Sequence, residues 1–99
     1  MKRALGMLGL CMKAGKVISG EKACLQSIRS GKVYVVLIDA SASENAMKSI
    51  SDACRSHDVN LIHVPEDQLG SAIGKPGRMV VGITDAKLAE RVIQLSQAD

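Results

Sequence analysis

Phenylalanine and tryptophan are absent from the 99-residue sequence, and Tyr34 is its only aromatic residue. A core built from this chain is therefore aliphatic, filled by Met, Val, Ile and Leu. The shortage also restricts how nucleic acid is held. Single-strand binders of the stacking kind rely on aromatic platforms, and Tyr34 falls inside an apolar run that reads as a buried strand. Cysteine is scarce as well: Cys11, Cys24 and Cys54 are odd in number and widely spaced. No C-x-x-C occurs, and each cysteine sits in an apolar helical pattern, which predicts buried, reduced thiols in a cytoplasmic protein. His57 and His63 have no companions at ligand spacing, so neither a metal site nor a cofactor is expected. No apolar run approaches the ~20 residues of a membrane span. The basic start followed by Ala4-Leu5-Gly6-Met7-Leu8-Gly9-Leu10 has no cleavage-type segment behind it, so no signal peptide is expected.

What is present suffices for one domain, residues 1–99, since chains become self-sufficient above roughly 55–65 residues. Formal charge is a mild +3, but it is unevenly spread. Residues 1–32 carry seven Lys and Arg against Glu21 alone, a net +6, whereas residues 33–74 are net −4 and residues 75–99 net +1. Such a dipole favours one basic face toward a polyanion.

Along the chain, apolar spacing predicts a first helix over 3–14, closed by Gly15. Val17-Ile18 is a very short strand that runs straight into a second helix, 20–30, with Ala23, Cys24, Ser27 and Ile28 facing inward. Val33-Tyr34-Val35-Val36-Leu37-Ile38 is a continuous β-branched run and reads as a central strand covered on both faces. Ser41-Ala42-Ser43-Glu44 fits a capping box, with Ser41 as the cap of a third helix ending near His57. Leu61–Val64 and Met79–Ile83 are further strands. Pro65 opens a short helix over 66–71, and Thr84 or Asp85 caps a last helix. Alternating strands and helices predict an α/β fold, a three-layer α/β/α sandwich with a central mixed four-stranded sheet.

Two stretches carry candidate chemistry. At the strand–helix junction Lys16, Ser19, Gly20, Glu21 and Lys22 surround a helix N-terminus, whose free N–H groups and partial positive charge suit a phosphate oxygen. The second is Leu69-Gly70-Ser71-Ala72-Ile73-Gly74-Lys75-Pro76-Gly77-Arg78. Its Gly70…Gly74-Lys75 pattern is not a P-loop: one residue is missing between the glycines, and Pro76 stands where a metal-binding hydroxyl is needed. It is a glycine-rich loop able to approach a partner closely, flanked by Lys75 and Arg78. No nucleophile elbow or activated cysteine is visible. Asp39, ending the central strand, reads as a strand terminator rather than a catalytic acid. The sequence is therefore that of a non-enzymatic protein.

The opening helix ending Lys13-Ala14-Gly15-Lys16, then Ser19-Gly20-Glu21-Lys22-Ala23, Ile28-Arg29-Ser30-Gly31-Lys32, Asp39-Ala40-Ser41 and the Leu69-Gly70-x-Ala72-x-Gly74 pattern together resemble the ribosomal protein L7Ae/L30e family of kink-turn RNA binders, and within it the short bacterial YlxQ-like branch. The likeness spans essentially the whole chain. It implies an α/β/α sandwich and a non-enzymatic, cytoplasmic, monomeric protein whose partner is structured RNA, of kink-turn or ribosomal type. It also implies that Gly20 opens the recognition helix, that Lys22 and Gln26 face the RNA, and that Gly74, Lys75, Pro76, Gly77 and Arg78 form the second contact. Two positions depart from the family pattern. Ala23 stands where Glu or Gln is common, and Gln26 where Lys is. Ala23 cannot bond a base edge, a contact worth roughly 1–3 kcal/mol of discrimination. The departures imply a grip by backbone and charge more than a reader of sequence. The alternative is a protein-interaction adaptor on the same fold with reduced RNA specificity.

Overall fold

A computed structural model describes residues 1–98. Five helices and four strands alternate: α1 (Lys2–Lys13), β1 (Val17–Ser19), α2 (Glu21–Arg29), β2 (Val35–Asp39), α3 (Glu44–Ser56), β3 (Asn60–Val64), α4 (Leu69–Ile73), β4 (Val80–Ile83) and α5 (Ala86–Ala98). The strands form one sheet in the order β1-β4-β2-β3. β2 and β3 are parallel, joined through α3, while β4 runs antiparallel to both β1 and β2. The expected mixed four-stranded sheet is present.

Period-two alternation assigns the core. Val35 and Leu37 of β2, with Val81 and Ile83 of β4, pack against α1, α4 and α5. Val36 and Ile38, with Val80, pack against α2 and α3. The two central strands are buried along their whole length, whereas edge strand β3 exposes Asn60 and His63. The sandwich is thus three layers, with three helices on one face and two on the other.

Three local expectations are corrected. The central strand begins at Val35, not Val33, and Tyr34 lies outside it with half its surface exposed. The reason is the neighbouring strand. β4 ends at Ile83, paired with Val35, because Asp85 then caps α5 through the Leu88 N–H at 3.0 Å. The chain bends at Tyr34, so Val33 packs with the α2–α3 core and Val35 with the opposite one, which a continuous strand would not allow. Second, the cap of α3 is Ser43, whose Oγ accepts from Ala46 N at 3.1 Å. Ser41 is otherwise engaged, donating its hydroxyl to Asp39 Oδ1 at 2.6 Å. Third, the short helix starts at Leu69 rather than near Glu66. Asp67 takes a left-handed φ of 61°, and the Leu69 N–H is capped from the sheet by Asp39 Oδ2 at 3.0 Å.

Candidate nucleic-acid interface

The start of α2 is shaped by Gly20. Its φ of 101° and ψ of 147° lie where only glycine is comfortable, and its N–H donates to Val80 O at 2.9 Å. The backbone thereby leaves β1 and turns into α2 while still tied to β4. No side chain caps α2. Its first turn carries Glu21 and Lys22, both exposed, and a helix start without a side-chain cap is a place where an anion can be held.

The second stretch folds onto the first. α4 closes at Gly74, whose left-handed backbone sends Lys75 N back to Gly70 O at 2.9 Å. Lys75-Pro76-Gly77-Arg78 is then a type II turn. Pro76 and Gly77 occupy its centre, Gly77 has a φ of 86°, and Arg78 N donates to Lys75 O at 3.2 Å. Gly70 is needed for close approach, since a Cβ there would stand 2.8 Å from Lys75 O. The turn delivers Arg78 to α2: its Nη1 lies 2.9 Å from where a Cβ of residue 20 would be. The glycine junction and the guanidinium are thus in contact.

Between them runs a groove of about 350 Å³. Gly20 and Glu21 form one wall, Gly77 to Val80 another, and Ala42, Ser43 and Ala46 at the start of α3 the third. That third wall was not expected from sequence. The signal for it was Asp39-Ala40-Ser41. The buried Asp39 carboxylate accepts from Ser41 N, Ser41 Oγ, Asp67 N and Leu69 N at 2.6–3.0 Å, joining the loops that lead to α3 and α4. Burial raises the Asp39 pKa, but these hydrogen bonds from Ser41, Leu69 and Asp67 outweigh it and hold the carboxyl at about 2.

The expected site residues divide by place. Gly20, Glu21, Gly77 and Arg78 line the groove, and Lys22, Lys75 and Pro76 are exposed in the adjoining helical turn and loop. Gln26 is exposed one turn farther along α2, on the face of Lys22. Ser19 ends β1 opposite Val81, half-buried. Gly74 lines a different groove, with Gly6, Gly9 and Leu10 of α1. Lys16 is not with the others. It precedes β1 and accepts from Thr84 N, so it lies at the other end of the sheet, roughly 13 Å along the strand from Gly20.

Comparison with known proteins bears on this geometry. The model of the ribosomal protein L7Ae/L30e/S12e/Gadd45 family matches residues 2–93. Two relatives are named RNA-binding protein YlxQ. The one from Bacillus subtilis is 38% identical over 90% of both chains, and that from Enterococcus faecium is 35% identical over 95% of this chain and 91% of its own. The large ribosomal subunit protein eL30B of Schizosaccharomyces pombe is 35% identical over 80% of this chain and 70% of its own. Among solved structures, a Bacillus halodurans protein of unknown function superposes with a TM-score of 0.90 at 29% identity, covering 95% of this chain and 96% of its own. A Giardia lamblia 15.5 kD RNA binding protein shares the fold, with a TM-score of 0.75 at 18% identity over 95% of this chain and 84% of its own.

Proposed function

This chain belongs to the ribosomal protein L7Ae/L30e/S12e/Gadd45 family, and on that premise we propose that it binds structured RNA, of kink-turn or ribosomal type, through the start of α2 and the turn at 74–78. The observation that carries the reading is the approach of Arg78 to Gly20. It converts two distant stretches into one groove with an uncapped helix N-terminus on one side and a guanidinium on the other. An RNA phosphate fits both, since N–H groups at a helix start and an Arg fork each donate to its oxygens. Lys22 and Lys75 add charge beside the groove. Ala23, half-buried and without a polar group, supplies no base-edge contact, so shape and phosphate recognition dominate. The role is binding rather than catalysis. We take the protein to act as a monomer in the cytoplasm, and its three buried free cysteines fit a reducing compartment.

Filter-binding titrations against a kink-turn hairpin and a plain RNA duplex at two salt concentrations test this. The hairpin is expected to bind more tightly, and log affinity to fall with log salt by about 0.7–0.9 per phosphate contacted. Lys22→Ala should weaken binding and lower that slope by about one. Because Lys22 is exposed, its stability should stay within about 0.5 kcal/mol of the parent. Failure of both RNAs to bind would overturn the proposal.

A further inference from the structure

The end of the sheet opposite Gly20 carries the chain's only aromatic side chain in the open. Tyr34 is 50% exposed and forms one wall of a groove of about 500 Å³. The last turn of α2, with Arg29, Ser30 and Gly31, and the end of α3, with His57 and Asp58, form the other walls. Lys32, next to this lining, is exposed. Lys16 belongs to the same end. Thr84 N donates to Lys16 O and Tyr34 N to Ile83 O, each at 2.9 Å, so the two residues flank the end of β4. Two strand spacings put their backbones about 10 Å apart. The charge here is three basic residues, Lys16, Arg29 and Lys32, against Asp58 and Asp85, the latter next to Thr84. Lys22, Gln26 and Arg29, at i, i+4 and i+7, form an exposed stripe that leads along α2 from the first groove to this one.

We propose that this end of the sheet is a second RNA contact, in which an unpaired base stacks on the Tyr34 ring and the neighbouring phosphates lie against Lys16, Arg29 and Lys32. The proposal rests on the RNA-binding reading above and extends its footprint. Unpaired RNA is recognised by stacking on aromatic rings, by hydrogen bonds to base edges and by cations along the backbone, and this groove supplies all three. The ring is open on the surface. Ser30, Asp58 and the carbonyls at the ends of two helices are acceptors for base amino groups, and these same carbonyls keep phosphate at the basic rim rather than on the floor. A strand held at the start of α2 reaches the groove along the Lys22–Arg29 stripe. It also gives Lys16, remote from the first groove, a ligand.

Because the chain has no tryptophan and no second tyrosine, intrinsic tyrosine emission reports on this contact alone. The full-length protein is titrated with a kink-turn hairpin, with the same hairpin carrying a single-stranded adenine extension of about ten nucleotides at either end, and with oligoadenylate alone. Extended hairpin is expected to quench the emission and to bind about tenfold more tightly than the bare hairpin. Tyr34→Ala should remove that gain and Tyr34→Phe preserve it, whereas Lys22→Ala should weaken both hairpins alike. Equal affinity for both hairpins with unchanged emission overturns the second contact and leaves the first groove standing. Where the bare hairpin does not bind, oligoadenylate decides. Quenching supports the Tyr34 contact without the first site, and silence overturns both.

Discussion

Asp39 joins the sheet to two loops through a single buried carboxylate. Its oxygens receive four hydrogen bonds from Ser41, Asp67 and Leu69, and no other charged side chain is fully buried among the described residues. Asparagine has nearly the same shape but only one acceptor oxygen, so its amide N–H₂ would face a backbone N–H. Asp39→Asn is expected to destabilise the fold by roughly 2–3 kcal/mol and to lower the melting temperature by about 10–20 °C. The native carboxyl titrates near 2, below its ordinary 3.8. Between these values the unfolded chain binds more protons, so stability is complete above about pH 4 and falls as pH drops toward 2. The loss amounts to ~2 kcal/mol. Urea melts across this window should show that slope in the parent and lose it in Asp39→Asn. An unchanged slope would locate the acid sensitivity in other carboxylates.

At the scale of elements, the two helices that border the groove begin in different ways. α3 is capped by the Ser43 side chain, which satisfies the Ala46 N–H. α2 has no side-chain cap and is held instead by a backbone bond from Gly20 to β4, which fixes its position; in the proposed function its first N–H groups meet a phosphate. Ser43→Ala should therefore cost about 1 kcal/mol in chemical denaturation. Glu44→Ala should stay within about 0.5 kcal/mol, since the Ser41–Glu44 box does not form. Equal losses at the two positions would mean that the box forms in solution. The Ser41-x-x-Glu44 pattern is sound by local rules. Ser41 lies outside the helix because Ala42 N bonds back to Asp39 O at 3.0 Å, a turn that delays the start of α3 to Glu44.

Over the whole molecule, the sheet separates two aliphatic cores, one under α1, α4 and α5 and one under α2 and α3. Each cysteine is sealed in one of them. Burial pushes the Cys24 thiol up to about 12, with the neighbouring Cys54 adding to the shift, and burial also raises Cys11 and Cys54. Thiolate is the reactive form, so a chromogenic disulfide reagent near pH 8 should find no fast-reacting thiol in the native protein. It should find all three after unfolding. Rapid reaction of any one in the native state would show that its core opens locally.

The sequence by itself determined the element order, the aliphatic core and the layer architecture. It also marked the two stretches that meet at the groove. These follow from short-range chemistry: apolar periodicity, helix-start residues, and a Pro-Gly pair that admits few turns. Only the tertiary structure decided the rest. Tyr34 is exposed because the chain bends there: its N–H still reaches Ile83 O of β4, while Val33 and Val35 on either side turn into opposite cores. Asp39 is buried because its partners at Asp67 and Leu69, 28 and 30 residues away in the chain, supply the donors that repay its desolvation. Lys16 and Gly20, four residues apart, lie at opposite ends of the sheet because the strand between them is extended. Periodicity says which face a residue shares, but the register of one strand against another, set by long-range packing, says where that face ends.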